Sequence, residues 1–399
     1  MRKSWAGWAA IALACAAGPA QAGEFEFTGY VEPELQLFLQ KASRPEQPRA
    51  NMSLAGEVSA KYFWDDGDQS FVATPFMRLD MHDDKRTHVD LRAFKYAYID
   101  GAWEFRAGVD KIFWGVTEAV HLVDIINQTD MVEDVREREK LGQPLVSLST
   151  YQRWGTVDLY VLPWFRERLF PGANGRPATD IPIDTSQTKF ESGRKRRHVD
   201  FAARYANTFD IWDVGFGYFR GTGRKPILIP GLSSGGSPVL IPYYAQIDQL
   251  STDIQATKGA WLYKFEGLWR KELNDRYLQG TGGIEYTLYG LFDTPSDLGI
   301  VAEYIWDERG ANPQNPFAND VFAGVRWTAN DIADTSLLTG AVVDMDTQAT
   351  FFSAEFEKRL GQNYRLSVEA RLFAGQPASD PYYTLKDDDF LQIRLARYF

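Results

Sequence analysis

The chain alternates between apolar and polar residues over many short segments. In one of them Leu54, Val58 and Tyr62 interleave with Glu57 and Lys61. The same rhythm recurs in residues 71–81, 103–109, 157–161, 261–270, 300–306, 321–327 and 364–372. Successive side chains of a β-strand point to opposite faces, so this pattern predicts strands with one apolar face and one polar face.

The aromatic content narrows the fold class. Aromatic residues make up 14% of the chain, and several lie near the ends of predicted strands. After residue 22 no apolar run is long enough for a transmembrane helix. Only helices and closed barrels satisfy every backbone hydrogen bond in lipid. The pattern therefore predicts an all-β fold, a closed antiparallel transmembrane β-barrel with apolar side chains facing lipid, polar side chains facing the lumen and aromatic girdles at both interfaces.

The connections between predicted strands alternate between short and long, as in such barrels. Short turns are predicted at 65–68, 100–101 and 361–363, and long Gly- and Pro-rich connections at 170–197, 221–242, 309–319 and 375–389. At about 20–24 residues for a strand and its connection, residues 23–399 predict roughly 16–18 strands in one domain. A barrel of this width encloses water unless it is plugged. A soluble β-sandwich or β-solenoid is the alternative, and the lack of an internal repeat argues against it.

The first 22 residues have the composition of a secretory signal peptide. Arg2 and Lys3 form a positive start, residues 5–17 are an uncharged apolar run, and a small-x-small triplet ends at Ala22. We therefore expect cleavage after Ala22. A retained anchor helix is one alternative, disfavoured because the apolar run is short. Lipoprotein-type cleavage before Cys15 is another, and the residues before that cysteine fit its pattern poorly.

Charge and motifs argue against several functions. The formal net charge of −11 disfavours nucleic acid as a partner. The histidines His82, His88, His121 and His198 lack zinc-binding spacing, and the chain has no G-x-S-x-G motif. A Ser–His pair of an outer-membrane lipase is conceivable around His121 or His198, but the spacing does not favour it. We expect no enzyme activity, no cofactor and no metal site.

The last predicted strand resembles that of outer-membrane barrels in general. Leu391, Ile393, Leu395 and Phe399 share one face, and the chain ends with an aromatic residue, which the barrel-assembly machinery reads in that class. Arg397 interrupts the apolar face and departs from the pattern. The resemblance implies a porin-like barrel in the outer membrane of a Gram-negative bacterium. Outer-membrane lipid, the barrel-assembly machinery and a small-molecule solute are then the expected partners.

Strict alternation stops between residues 111 and 143. The K-x-x-W-G piece at 111–115 and the I-N-x-x-D piece at 126–130 resemble a segment that follows an early strand in poorly characterised bacterial outer-membrane barrels. Long insertions early in a barrel often fold inward as a constriction. We therefore predict that a narrowing of the lumen is lined or approached by Asp124, Asn127, Asp130, Glu133 and Arg136. An exposed loop with a solvated charged helix at 133–140 is the alternative interpretation.

A basic cluster lies in a long predicted connection and consists of Arg194, Lys195, Arg196 and Arg197. It indicates either contact with lipopolysaccharide phosphates or simply a solvated loop.

Three classes of function remain open. The first, which the sequence favours, is a passive channel for small solutes, in which lumen charges and width set selectivity. The second is a specific transporter of hydrophobic compounds or a polymer exporter, which needs a lateral opening or a lumen-blocking segment. The third is an outer-membrane enzyme or a structural barrel.

Overall fold

The computed structural model describes residues 23–399, so the predicted signal peptide lies outside the described part of the chain. Its strands are β1 (Glu24–Phe38), β2 (Ala50–Trp64), β3 (Gln69–Asp80), β4 (His88–Asp100), β5 (Trp103–Asp110), β6 (Gln143–Gln152), β7 (Gly155–Leu162), β8 (Lys189–Phe190), β9 (Asp200–Phe209), β10 (Trp212–Thr222), β11 (Ile227–Leu232), β12 (Pro238–Tyr244), β13 (Gln246–Lys258), β14 (Trp261–Glu272), β15 (Asp275–Leu288), β16 (Asp297–Asp307), β17 (Asn319–Thr328), β18 (Ser336–Asp344), β19 (Thr350–Leu360), β20 (Tyr364–Ala374) and β21 (Phe390–Tyr398). Short 3₁₀ turns occur at Asp65–Gly67, Thr185–Gln187, Lys195–Arg197, Leu291–Asp293 and Pro381–Leu385. Among residues 23–399 no helix is long and apolar enough to cross a membrane.

Eighteen strands form one closed antiparallel sheet. They follow chain order, with β7 pairing with β9 and β10 with β13. The first and last strands close the wall through pairs that run from Tyr30↔Tyr398 to Phe38↔Phe390. Closure pairs the first strand with the last, so that neither of them is a free edge, as a lipid environment requires. The predicted closed antiparallel barrel of 16–18 strands is therefore confirmed.

The two faces of the wall follow the predicted alternation. In β16, Ile300, Tyr304 and Trp306 are 48%, 47% and 40% exposed on the outer surface. Glu303 and Asp307 lie on the opposite face of the strand, where they are buried and face the interior. The apolar outer face suits lipid and the charged inner face suits a lumen.

Connections are mostly short at one end of the barrel and long at the other. The predicted turns at 65–68, 100–101 and 361–363 are confirmed. The predicted loop 221–242 was wrong in part, because it contains the hairpin of β11 and β12, which joins β8 in a separate three-stranded sheet. The prolines in this stretch led to the loop prediction, because proline has no N–H to donate to a neighbouring strand and therefore favours a loop over a strand.

Residues 111–142, which we call the inserted segment, fold into the barrel and pack on two parts of its wall. The first contact is a buried apolar cluster of Trp114, Val123, Ile125, Ile126, Leu145, Tyr160, Leu162, Ala202, Phe219 and Ile247. The second joins Ala119 and Val120 to Val301, Ile305, Phe322 and Val342. The long early insertion predicted from the loss of alternation is thus confirmed as a segment inside the barrel.

The outer face yields a testable prediction at Ile300, which lies on the lipid side of β16. Arginine there places a charge in the bilayer, which costs about 2–4 kcal/mol at the midplane and less near the interfaces. We expect Ile300→Arg to lower the free energy of unfolding in lipid vesicles, measured by denaturant titration. Ile332→Arg is the matched control, because Ile332 is 96% exposed in the connection 329–335. Equal effects of the two substitutions would contradict lipid contact at Ile300.

Candidate functional site

The neck of the inserted segment is held together by Asn127. Its side-chain Oδ1 accepts from the N–H of Ile112 at 2.8 Å, and its Nδ2 donates to the carbonyls of Asp110 and Leu141 at 2.9 Å each. The side chain is buried. One amide group thus satisfies three backbone groups at the point where the chain leaves β5 and returns to β6.

The Trp-Gly pair of the K-x-x-W-G piece has a local physical reason. Trp114 is buried and packs edge-on against Tyr160, with 6.0 Å between ring centroids. Its ring fits beside Gly217 of β10, where a Cβ would lie 3.2 Å from the indole. Gly115 has φ of +142°, which side chains rarely allow, and a Cβ there would lie 2.9 Å from the carboxylate of Glu266.

Glu266 of β14 is the main anchor of the inserted segment. Its Oε1 accepts from the N–H groups of Val116 and Thr117 at 2.7 and 3.0 Å and from the Thr117 hydroxyl at 2.7 Å. Its Oε2 accepts from the N–H of Val123 at 3.2 Å. The carboxylate is fully buried, and burying a charge is costly unless it is hydrogen-bonded. These four bonds provide that compensation and fix the turn at 116–123 to the wall.

Glu303 of β16 holds the next residues of the same turn. Its carboxylate accepts from the N–H groups of Glu118 and Ala119 at 2.8 and 2.9 Å. Sequence reasoning missed both glutamates, because a glutamate on the polar face of a strand looks like any other lumen-facing charge. No sequence signal separates Glu266 and Glu303 from the other interior carboxylates.

The later part of the segment is tied to β3 and β4. Glu133 accepts two bonds from the guanidinium of Arg78, each 2.7 Å long. That arginine also reaches Glu34 of β1 at 3.3 Å. Asp130 lies 3.2 Å from the Nε2 atom of His88. The carboxylates of Glu34, Glu133 and Asp130 are all buried. Their contacts with Arg78 and His88 hold the segment to this wall.

A third attachment reaches β19. The guanidinium of Arg136 is paired with Glu355, and Arg138 donates to the other oxygen of the same carboxylate at 2.6 Å. Asp134 in turn accepts from Arg138 at 2.8 Å. Residues 133–140 therefore form turns with paired charges, and not the solvated helix considered as the alternative.

The predicted constriction residues are not grouped in one place. Asp124, Asn127 and Arg136 line an interior cavity between the inserted segment, the long loops and the wall. Asp124 also lies 3.1 Å from Lys140. Asp130 and Glu133 face the β3–β4 side instead. Whether these residues narrow a conducting path stays a prediction.

The cavity has a basic part and an apolar part. Its cationic lining consists of Arg136, Lys140, Arg168, Arg224, Lys225, Arg270 and Arg309, and its acidic lining of Asp124 and Glu137. Its apolar lining includes Phe317, Phe322, Val342, Phe351, Phe373 and Tyr382. Cations therefore outnumber carboxylates by seven to two at this surface, in a chain whose net charge is negative.

Glu137 is the carboxylate at the centre of the basic part. It lies 3.0 Å from Arg168 and 3.5 Å from Lys225. Burial raises the pKa of Glu137, but the charges of Arg168, Lys225 and Lys140 outweigh burial and lower that pKa to about 2. Burial also lowers the pKa of Lys225, and although Glu137 opposes this change, Arg168 and Arg270 reinforce it. Burial is thus the main cause of the lowered pKa of Lys225, and one carboxylate and several cations act on it in opposite directions.

The predicted basic cluster at 194–197 lies away from this cavity lining, in the long connection 163–199. Lys195, Arg196 and Arg197 form a 3₁₀ turn. The Arg196 side chain is 55% exposed and pairs with Glu167 at 2.5 Å. Contact of this cluster with lipopolysaccharide stays a prediction.

Comparison with known proteins identifies the fold. No protein-family model and no curated relative matches the chain. A BenF-like porin from Pseudomonas fluorescens Pf-5 is similar in structure, with 11% identity, a TM-score of 0.55 and coverage of 96% of this chain and 99% of that one. The chain has the fold of the outer-membrane β-barrels. OmpT of Vibrio cholerae (12% identity, TM-score 0.47, 95% and 100% covered) and a Rhodopseudomonas blastica porin mutant (10%, 0.43, 94% and 100%) are more distant and add nothing to that conclusion.

The anchor at Glu266 can be tested by hydrogen exchange. Glu266→Ala removes the acceptor of three backbone N–H groups, and a hydrogen bond to a charged group contributes about 1.5–3 kcal/mol. We expect the amides of Val116, Thr117 and Val123 to exchange at least about tenfold faster in the folded barrel, measured by mass spectrometry. Glu357→Ala is the matched control, since that β19 side chain is 48% exposed. Unchanged exchange in Glu266→Ala would show that this carboxylate does not hold the turn.

Proposed function

We propose that the protein is an outer-membrane channel for small solutes whose path is narrowed by the inserted segment. The observation that supports this most is the attachment of one segment to distant parts of the wall. Glu266 and Glu303 hold its first half, while Arg78 and Glu355 hold its second half. A segment bound at both ends is a fixed obstacle, so solutes would pass between it and the wall.

The surroundings of the channel are part of the same proposal. The apolar outer face is suited to outer-membrane lipid, and the last strand closes the barrel with its terminal aromatic residue near β1, where Phe399 and Phe27 have ring centroids 6.2 Å apart. We include in this proposal a location in a Gram-negative outer membrane and insertion by the barrel-assembly machinery. The absence of enzyme activity stays a prediction.

A feature of the wall favours a second candidate, transport of hydrophobic compounds through a lateral opening. β4 pairs with β3 as far as His88, but its pairing with β5 begins only at Phe94↔Val109. Residues 88–93, the first part of β4, therefore lack a partner strand on the β5 side within the described sheet. The gap is bridged by the Arg166–Asp90 ion pair at 2.6 Å. An apolar groove on the outside of this region includes Met77, Val89, Leu91, Pro144 and Trp164.

The two candidates differ in what Arg166→Ala should do. If the gap is a route for hydrophobic compounds, loss of the bridge should speed uptake of a neutral fluorescent apolar probe into protein-containing vesicles. Ionic conductance should then change little. If the lumen is the only route, probe uptake should equal that of the unmodified protein.

Conductance in planar bilayers tests the main proposal. We expect discrete conducting steps, and we expect Asp124→Asn to shift ion selectivity toward anions, because Lys140 then loses its carboxylate partner at the cavity surface. Asp130→Asn is the matched control and should have the smaller effect, since Asp130 faces His88 and not the cavity. If the protein shows no conductance, the channel proposal is contradicted. If it conducts but both variants keep the ion selectivity of the unmodified protein, the role of Asp124 is contradicted.

A further inference from the structure

The cavity beside the inserted segment contains cations that the protein itself does not neutralise. Most of its basic side chains have a carboxylate partner, such as Arg224 with Asp200 at 2.8 Å and Arg309 with Asp307 at 2.8 Å. Lys225 and Arg168 share a single carboxylate, that of Glu137. The basic part of the cavity therefore holds more positive charge than its carboxylates balance.

Arg270 of β14 is the clearest case. Its guanidinium donates to the amide oxygen of Gln249 at 2.9 and 2.5 Å and lies 3.5 Å from the Tyr277 hydroxyl. Among residues 23–399 no carboxylate oxygen lies within 4.0 Å of it. Its charge is thus directed at the cavity with only neutral partners.

Arg224 supplies an independent observation. The residue is 4% exposed. Its Nε and Nη1 atoms donate to Ile126, Asp200 and Thr222, but its Nη2 atom is buried and has no hydrogen-bond partner in the part of the chain that the structure describes. An unsatisfied buried donor on a charged group is costly, and this residue lines the cavity. An acceptor from a ligand would remove that cost.

The neighbouring lining has the opposite character. Phe322, Val342, Phe351 and Phe373 come from the inner faces of β17 to β20, and Tyr382 from the connection that follows. The rings of Phe351 and Phe373 lie 5.1 Å apart and both approach that of Tyr382 at 6.3 Å. This group forms a continuous apolar surface next to the cations. Their apolar area is buried favourably against a ligand, and within this group only Tyr382 has a polar atom, its hydroxyl.

We propose that this cavity binds an organic carboxylate with an apolar or aromatic body, the carboxylate on the Arg270–Lys225–Arg224 side and the body on the ring side. Guanidinium groups suit a carboxylate because they donate in a planar fork. The surplus of positive charge matches one anionic group, and the apolar surface excludes a ligand that is polar throughout. This inference rests on the proposed function for the route by which the ligand arrives, but binding itself does not require conduction.

Calorimetry on the folded, detergent-solubilised protein tests binding directly with three related probes. We expect 3-phenylpropionate to bind more tightly than propionate, which lacks the ring, and than 3-phenylpropan-1-amine, which has the ring and the opposite charge. Arg270→Gln should weaken 3-phenylpropionate binding by about tenfold, the loss of one hydrogen-bonded charge. Phe351→Ala should reduce the preference for 3-phenylpropionate over propionate.

Controls separate the outcomes. Arg220→Gln is the matched substitution on the outside of β10, where the side chain is 70% exposed, and it should bind as the unmodified protein does. Lys225→Gln is the second cavity variant if Arg270→Gln does not fold. Equal affinity for the three probes, or equal effects of Arg270→Gln and Arg220→Gln, would overturn the carboxylate site. Tight binding of 3-phenylpropionate in a protein that shows no conductance would support the site and contradict the channel instead.

Discussion

Closure of the sheet between the first and last strands is the constraint on which the rest of the structure depends. In lipid a strand edge with unsatisfied backbone groups costs several kcal/mol for each group, so the wall must be continuous. Eighteen strands give a lumen wide enough to take in a segment of the chain. That segment leaves the wall after β5, which at eight residues is, together with β7, the shortest strand of the described wall.

The interior is organised by buried charges and not by a conventional apolar core alone. A buried ion pair adds little net stability, but removal of one partner leaves an uncompensated charge and is strongly destabilising. The contacts of the wall residues Glu266, Arg78 and Glu355 with the inserted segment therefore act mainly on specificity, since a shifted segment would leave those charges unpaired. This gives a physical reason why an irregular segment can have one defined position inside a wide lumen.

Charge of the two signs is distributed unequally within an acidic protein. The net charge of −11 does not exclude an anionic small ligand, because it is a sum over loops, lumen and both ends of the barrel. The cavity beside the inserted segment has the opposite balance, with Arg270 and Lys225 at its surface. For a ligand in this cavity such a local surplus matters more than the net charge, since a charge acts more strongly at a few ångströms than across the barrel, where salt screens it.

The amino-acid sequence by itself determined the barrel class, the two faces of many wall strands and the short turns that it named, because a period of two and turn-forming residues are local properties. It also indicated that residues after β5 leave the strand pattern, and it selected Asn127 and Arg136, though not their partners. Only the tertiary structure decided that Glu266, some 149 residues away from Thr117, accepts its hydrogen bonds. Such contacts depend on barrel closure and on strand register, so that no local pattern distinguishes an anchoring glutamate from a lumen-facing one.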